Sequence, residues 1–350
     1  MSGRPLVSIL TPSFNREDLV AETLDSVLAQ TWPHWEMLVV DDGSTDGTRD
    51  VVAAYAARDS RVKLFDRTWQ PKGACACRNE GVSMCDGDYV MFLDTDDIIE
   101  PFCLENRVKA MEAEPDLDFA IFPGLMFADT PNDLGLWWNI DKPEDELTRQ
   151  FRGDAIAQGT GVLWRKESFE RIGMWDLELM LWQDIELFLR AYIQGYRYRK
   201  FFDLPPDLHN RINTKSNTTG LSRGNFFDVE KQVSRVRVAK QAAAMLRQNG
   251  KQHRLNELRY MVAEIAIGAA RSGRMRLALP FLFWAFREDA ISTSETLRIA
   301  AVIGLYVGRM TRFAPFRRWA EALQRPFAGI GTIGQVPVTT PVTTKAGTPS

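Results

Sequence analysis

Residues 88–97 read DYVMFLDTDD, and this stretch decides the fold. The run Tyr89 to Leu93 is continuously apolar, which marks a strand covered on both faces as in a parallel sheet. Three carboxylates, Asp94, Asp96 and Asp97, then fall around Thr95 within four residues. Like charges this close repel, so their meeting at a strand end calls for a compensating cation. Open α/β sheets bind ligands beyond the carboxyl ends of their strands. A hard divalent cation, Mn2+ or Mg2+, held by one or two carboxylates and completed by phosphate oxygens, is the chemistry this pattern suits. The alternative is a solvated acidic turn that opens the next helix.

Working outward, short apolar runs alternate with helix-period segments over the first 130 residues, the pattern of βαβ units. Strands are expected at Leu6–Leu10, Met37–Val40, Val62–Phe65, Tyr89–Leu93 and Asp118–Phe127. Helices are expected over Glu17–Gln30, from the Ser, Thr and Asp residues after Asp41 to about Ala57, and over Ala74–Met84 and Pro101–Glu112. Residues 130–160 read as a polar loop, Glu178–Gly195 as a helix, and 203–224 as a linker or mobile loop. A helical region runs to about Gln324, and residues 326–350, poor in charge and rich in Thr, Pro and Gly, read as disordered.

Composition limits the function classes. The 350 residues are 45% apolar and 25% charged, with a net charge of −3, which excludes a mainly disordered or fibrous chain. That near-neutral sum is a cancellation. Residues 1–230 hold 24 Lys and Arg against 40 Asp and Glu, whereas residues 231–325 hold 18 against 6. Nucleic acid is not expected as a partner, since the acidic part repels phosphate away from a metal site. The four cysteines lack CxxC spacing and point to a reducing compartment rather than to disulfides or zinc. The N-terminus lacks the apolar core of a secretory signal, and the longest apolar runs are half of what a spanning helix needs, so a cytoplasmic location is expected.

A second carboxylate pair, Asp41-Asp42, closes the second strand ahead of Gly43-Ser44. It reads either as an ordinary strand-to-helix turn or as an acceptor for a base N–H or a ribose hydroxyl. The first strand ends in Thr11-Pro12-Ser13-Phe14-Asn15, which supplies hydroxyls, an amide and a ring able to stack on a base.

Six segments, VSILTPSFNRE, SVLAQTW, WEMLVVDDGSTDGT, GACACRNEGV, GDYVMFLDTDD and GMWDLELMLWQDIELFLRAYIQGY, occur in the order of the family 2 inverting glycosyltransferases. The chain resembles that family over residues 6–195. The resemblance implies an α/β fold of the GT-A type, Rossmann-like with a mostly parallel sheet flanked by helices, on residues 1–224. To it are appended a basic helical region at 225–325 and the tail at 326–350. It further implies that Thr11, Pro12, Phe14 and Asp41 bind the nucleotide base, that Gly73 and Arg78 lie at the nucleotide-sugar site, and that Asp94, with Thr95 beside it, is the ribose or sugar side of a DxD motif. Asp96 then resembles the ligand of the Mn2+ or Mg2+ that holds the diphosphate. Asp184 occupies the place of the catalytic base, and Gln183 replaces the Glu that commonly precedes it. Arg211 matches the Arg of an Arg-x-His element, Asn213 stands where that His is expected, and His209 is the substitute metal ligand. Trp137, Trp138 and Trp182 are either a stacking surface for a sugar acceptor or packing residues.

The implied activity is metal-dependent transfer from a nucleotide-sugar, by family habit a UDP-sugar, to an acceptor hydroxyl in polysaccharide, glycolipid or glycan assembly. The alternative is a nucleotide-sugar-binding scaffold that kept the fold without catalysis. The Arg-rich helices read either as a subdomain docked on the acidic part or as a peripheral anchor on an anionic membrane surface, where a lipid-linked acceptor would be met.

Overall fold

The structure, a computed structural model, describes residues 4–212 and 229–327. The boundary placed near 224 and most of the tail placed at 326–350 therefore lie outside the described residues. The first half runs β1 (Val7–Ser13), α1 (Val20–Leu28), β2 (Trp35–Asp41), α2 (Thr48–Arg58), β3 (Val62–Asp66), α3 (Ala74–Met84) and β4 (Tyr89–Phe92). After it come β5 (Ile98–Ile99), α4 (Cys103–Ala113), β6 (Phe119–Ile121), β7 (Gly124–Phe127), β8 (Leu136–Trp137), α5 (Glu146–Phe151) and β9 (Val162–Arg165). The α/β part closes with α6 (Lys166–Arg171), α7 (Gln183–Gln194), β10 (Tyr198–Lys200) and β11 (Leu208–Arg211), and α8 (Val229–Gln248), α9 (Arg259–Arg271), α10 (Met275–Arg287), α11 (Thr293–Val307) and α12 (Ala314–Gln324) follow.

One sheet has the strand order β10-β6-β9-β4-β1-β2-β3. Its strands β3, β2, β1 and β4 are all parallel, with Leu10 opposite both Leu38 and Phe92. The chain order reverses between β1 and β4, so their carboxyl ends open a crevice at the switch point. A second sheet, β5-β11-β7-β8, lies beyond it. The apolar runs that announce β1, β2 and β4 are buried along nearly their whole length, as central strands require.

Four expectations need correction. Asp118–Phe127 is two strands in two sheets, because Pro123 lacks an N–H and turns the chain between them. The presumed loop at 130–160 contains β8 and α5, and the presumed linker at 203–224 contains β11. Strands this short carry no period of their own and form because a neighbour supplies the ladder. The helix expected from Glu178 starts at Gln183, after Trp182 takes a left-handed backbone with φ 65°.

The C-terminal helices share the core of the α/β layer. Leu187 and Phe188 of α7 belong to one apolar cluster with Val238 and Ala242 of α8 and Ile265 of α9. Arg237 pairs with Asp176 and Glu178, Arg254 with Asp145, and Lys251 donates to the carbonyls of Tyr192 and Ile193 at the end of α7, where the helix dipole favours a cation. All four cysteines are free and buried, and burial pushes the thiols of Cys75 and Cys77 up to about 12. Among the described residues no helix is long and apolar enough to cross a membrane.

Candidate active site

The crevice is built around one guanidinium. Arg78 projects from α3, whose start is Gly73 at φ 141°, a conformation that glycine adopts without strain. Its Nη2 donates to Asp94 Oδ1 at 2.6 Å, and its guanidinium lies 5.0 Å from the Trp175 ring centroid. Burial opposes the charge on Arg78, yet Asp94, the Cys75 thiol and Asp184 together hold its pKa above the ordinary value. Arg78 thus stands between two carboxylates with different surroundings. Asp94 is half exposed, with 46% of its side chain open to solvent. Asp184, in the first turn of α7, accepts the Gly159 N–H at 2.7 Å. Burial raises the Asp184 pKa, the charge of Arg78 lowers it, Asp94 raises it, and the balance lies above the ordinary carboxylate value. A carboxyl so placed is a stronger base than a solvated Asp, as proton abstraction needs.

The acidic turn after β4 divides its labour. Asp97 faces inward and accepts from Asn210 Nδ2 at 2.7 Å, the Arg211 N–H at 3.0 Å and Thr160 Oγ1 at 3.2 Å. It braces the turn. Asp96 faces outward with Arg16 Nη2 at 3.9 Å, and burial, then the charge of Asp94, raises its pKa. Thr95 is buried between them. Among the described residues no three His, Cys, Asp or Glu side chains converge to hold a metal ion on their own. Two outward carboxylates, with the charge of Asp94 raising the pKa of Asp96, are nevertheless a fitting half-site for Mn2+ or Mg2+, which binds through one or two carboxylates with the rest of its shell from phosphates and water.

Alternation along β11 separates its residues. Asn210 reaches Asp97, whereas His209 and Arg211 face the Phe127 ring. His209 Nε2 lies 2.7 Å from Glu100 Oε1, and its Nδ1 is buried with no hydrogen-bond partner among the described residues. The Arg211 guanidinium donates to the carbonyls of Asp96 and Ala128 and to Glu22, which ties the acidic turn to α1. Asn213 lies outside the described residues.

At the carboxyl end of β1, Thr11 Oγ1 and Ser13 Oγ are buried with no hydrogen-bond partner among the described residues. Pro12 sits between them, and Phe14, 40% exposed, has Lys72 Nζ 3.9 Å from its ring centroid. Asp41 is 2% exposed and accepts from the N–H groups of Gly43 and Ser44, the Ser44 hydroxyl and Arg49. It closes its own turn. The α2 N-cap is Gly47, not Ser44 or Asp46, because Asp46 turns instead to the N–H of Thr48.

Of the tryptophans expected near an acceptor, Trp138 is 9% exposed and packed, while Trp137 on β8 is half-buried. The Arg235 guanidinium of α8 lies 4.8 Å from the Trp182 ring centroid. Gln183 Nε2 donates to the Leu179 carbonyl at 2.9 Å, which closes the turn before Asp184. Ser234 of α8 accepts the Met180 N–H at 2.9 Å. Helix α8 therefore backs the strained turn that aims the carboxylate. Ser234→Ala removes that hydrogen bond and is expected to cost about 0.5–1.5 kcal/mol in urea unfolding, with kcat lowered more than KM is raised.

Gly159, Thr160, Asn210 and Asp97 as braces escape sequence reading, since nothing local links them. Asn79 offered a signal by its place beside Arg78: its amide exchanges hydrogen bonds with the backbone N–H and carbonyl of Trp175 and clamps that loop to α3. Arg16 offered one too, following the first strand's polar end.

This architecture is of the GT-A class. S. aureus TarS 1–349, solved in complex with UDP-GlcNAc, aligns over 92% of each chain with a TM-score of 0.65 at 18% identity. Residues 8–173 match the family described as Glycosyl transferase family 2, and the chain carries a family 2 glycosyltransferase domain. Among curated proteins, it is 44% identical over 108 residues to the putative teichuronic acid biosynthesis glycosyltransferase TuaG of Bacillus subtilis, covering 31% of this chain and 42% of that one. It is 42% identical over 106 residues to the UDP-Glc:alpha-D-GlcNAc-diphosphoundecaprenol beta-1,3-glucosyltransferase WfgD of Escherichia coli, covering 30% and 41%. The matches thus span about two fifths of each relative's length.

Proposed function

We propose that the chain is a metal-assisted inverting glycosyltransferase that moves a sugar from a UDP-sugar to a hydroxyl of a lipid-linked or polymeric glycan acceptor. The observation that carries this reading is the placement of Arg78 between the half-exposed Asp94 and the base-like Asp184. Support for UDP comes from the ligand named for TarS and the donor named for WfgD, and support for a lipid-linked or surface-polymer acceptor from the names of WfgD and TuaG. Residues 1–224 form the catalytic unit in this reading, and 225–325 the helical unit behind it.

The acceptor hydroxyl attacks the anomeric carbon from the Asp184 side and gives its proton to that carboxylate. The bond to the diphosphate breaks on the opposite face, which inverts the centre. Arg78 and Arg16 stabilise the negative charge that gathers on the leaving group. Thr11, Ser13 and Phe14 receive the base and ribose. Asp96, with Asp94 beside it on the sugar side, would hold a Mn2+ or Mg2+ ion, which would supply Lewis-acid stabilisation of the diphosphate.

A panel of nucleotide sugars supplied with metal and assayed by nucleoside diphosphate release tests the reading and names the donor. Absence of release with every donor and acceptor, alongside retained nucleotide binding, would establish the scaffold instead. Asp96→Ala is expected to remove the metal dependence of donor binding and to weaken binding with metal present by at least about ten-fold, as read by calorimetry.

A further inference from the structure

The stretch 307–319, which runs from the end of α11 through a short turn into α12, holds no Asp or Glu. It exposes three large apolar side chains, Val307 at 54%, Phe313 at 61% and Trp319 at 51%. Arg309, Arg312, Arg317 and Arg318, interleaved with them, are exposed as well. Several other basic residues of the helical region are committed, Arg237 to Asp176 and Glu178, Arg247 to Glu288, and Arg259 to Glu295. Among the described residues no carboxylate pairs with the four arginines of this stretch. On α10, Leu279, Phe283 and Phe286 are also exposed and share one helical face by their spacing.

We propose that the 307–319 face docks on an anionic lipid surface. Rings and a branched apolar chain interleaved with guanidinium groups suit the headgroup boundary, where apolar groups enter and arginines meet lipid phosphates. Charge complementarity selects this occupant over the two long segments of the chain outside the described residues. Residues 328–350 contain no acid and one Lys, and 213–228 contain one acid against two bases, so neither segment brings the negative charge the face needs. The acidic residues up to 230 are repelled by the same surface, which orients the molecule with α12 toward the lipid. The inference goes beyond sugar transfer, and its test reads binding rather than turnover.

The test is flotation of the full chain with vesicles of phosphatidylcholine alone and with about one third phosphatidylglycerol added. Binding is expected on the anionic vesicles only, and it weakens as salt is raised. Arg317→Glu with Arg318→Glu should lower the partition coefficient by at least about ten-fold, and Phe313→Ser with Trp319→Ser should lower it as well, because both the charges and the rings contribute. Arg197→Glu, a change at an exposed arginine of the catalytic layer, should leave binding unchanged. Equal partition of wild type and the Arg317/Arg318 variant, or equal binding to neutral vesicles, overturns the proposal. So does the absence of vesicle binding together with a concentration-dependent dimer that the same substitutions dissolve, which would assign the face to a second copy of the chain.

Discussion

Asp184→Asn is expected to lower kcat by about 10²- to 10⁴-fold while leaving the donor dissociation constant within about two-fold of wild type. The amide keeps the shape of the carboxyl and can still accept the Gly159 N–H, so the start of α7 stays in place. What it loses is the ability to take a proton. The wild-type rate should carry an acid limb set by the same group. Asp184 must be ionised to act, its pKa is raised by burial, and activity therefore falls as pH drops through a value above the ordinary 3.9 or so of a solvated Asp. That limb should disappear from the residual rate of the variant. A variant with full activity, or a limb unchanged in the Asn form, would remove Asp184 from the reaction.

The largest stability effect is expected far from the proton transfer. Arg107 of α4 is fully buried and meets Asp207, itself 3% exposed, through Nε at 2.8 Å and Nη2 at 2.6 Å, while its Nη1 donates to the Thr160 carbonyl at 2.7 Å. Asp207→Ala strands a buried guanidinium and should cost about 3–5 kcal/mol in denaturant unfolding. Replacing both partners, Arg107→Met with Asp207→Leu, should cost less than the single change, because no charge is then left unpaired. Asp116→Ala is the control. Its pair with Arg197 is exposed on both sides, and such pairs contribute about 0–1 kcal/mol. A loss below about 1 kcal/mol for Asp207→Ala would show that Arg107 is solvated on release. The pair matters to the site because Asp207 precedes β11, whose Asn210 and Arg211 brace Asp97.

Much of this site was legible because its chemistry is local. Apolar strands ending in acids mark β2 and β4, and the segment from Gly73 to Met84 fixes both the turn and the helix that carry Arg78. The roles inside those clusters were not legible. Nothing in Asp94-Thr95-Asp96-Asp97 says that Asp97 turns inward to three donors while Asp94 and Asp96 stay outward. Nor does Asp41-Asp42 say that Asp41 spends both oxygens on its own turn and Arg49, with Asp42 taken by Arg67.

Charge shows the same division. The excess of acid up to residue 230 and of base beyond it is written in the sequence, but which cations are committed is not. Arg237 and Arg254 reach carboxylates of the α/β layer across the fold, and Arg317 and Arg318 reach none among the described residues. The sequence by itself determined the parallel sheet, the helices that cover it and the strand ends at which carboxylates gather, because a period of two or 3.6 and a strand-end acid are properties of neighbours along the chain. Only the tertiary structure decided which carboxylate braces, which faces the crevice and which is buried enough for its pKa to rise. Those choices depend on donors from Thr160, Asn210 and Gly159 and on burial, and both arise between residues far apart in sequence, when the layers close.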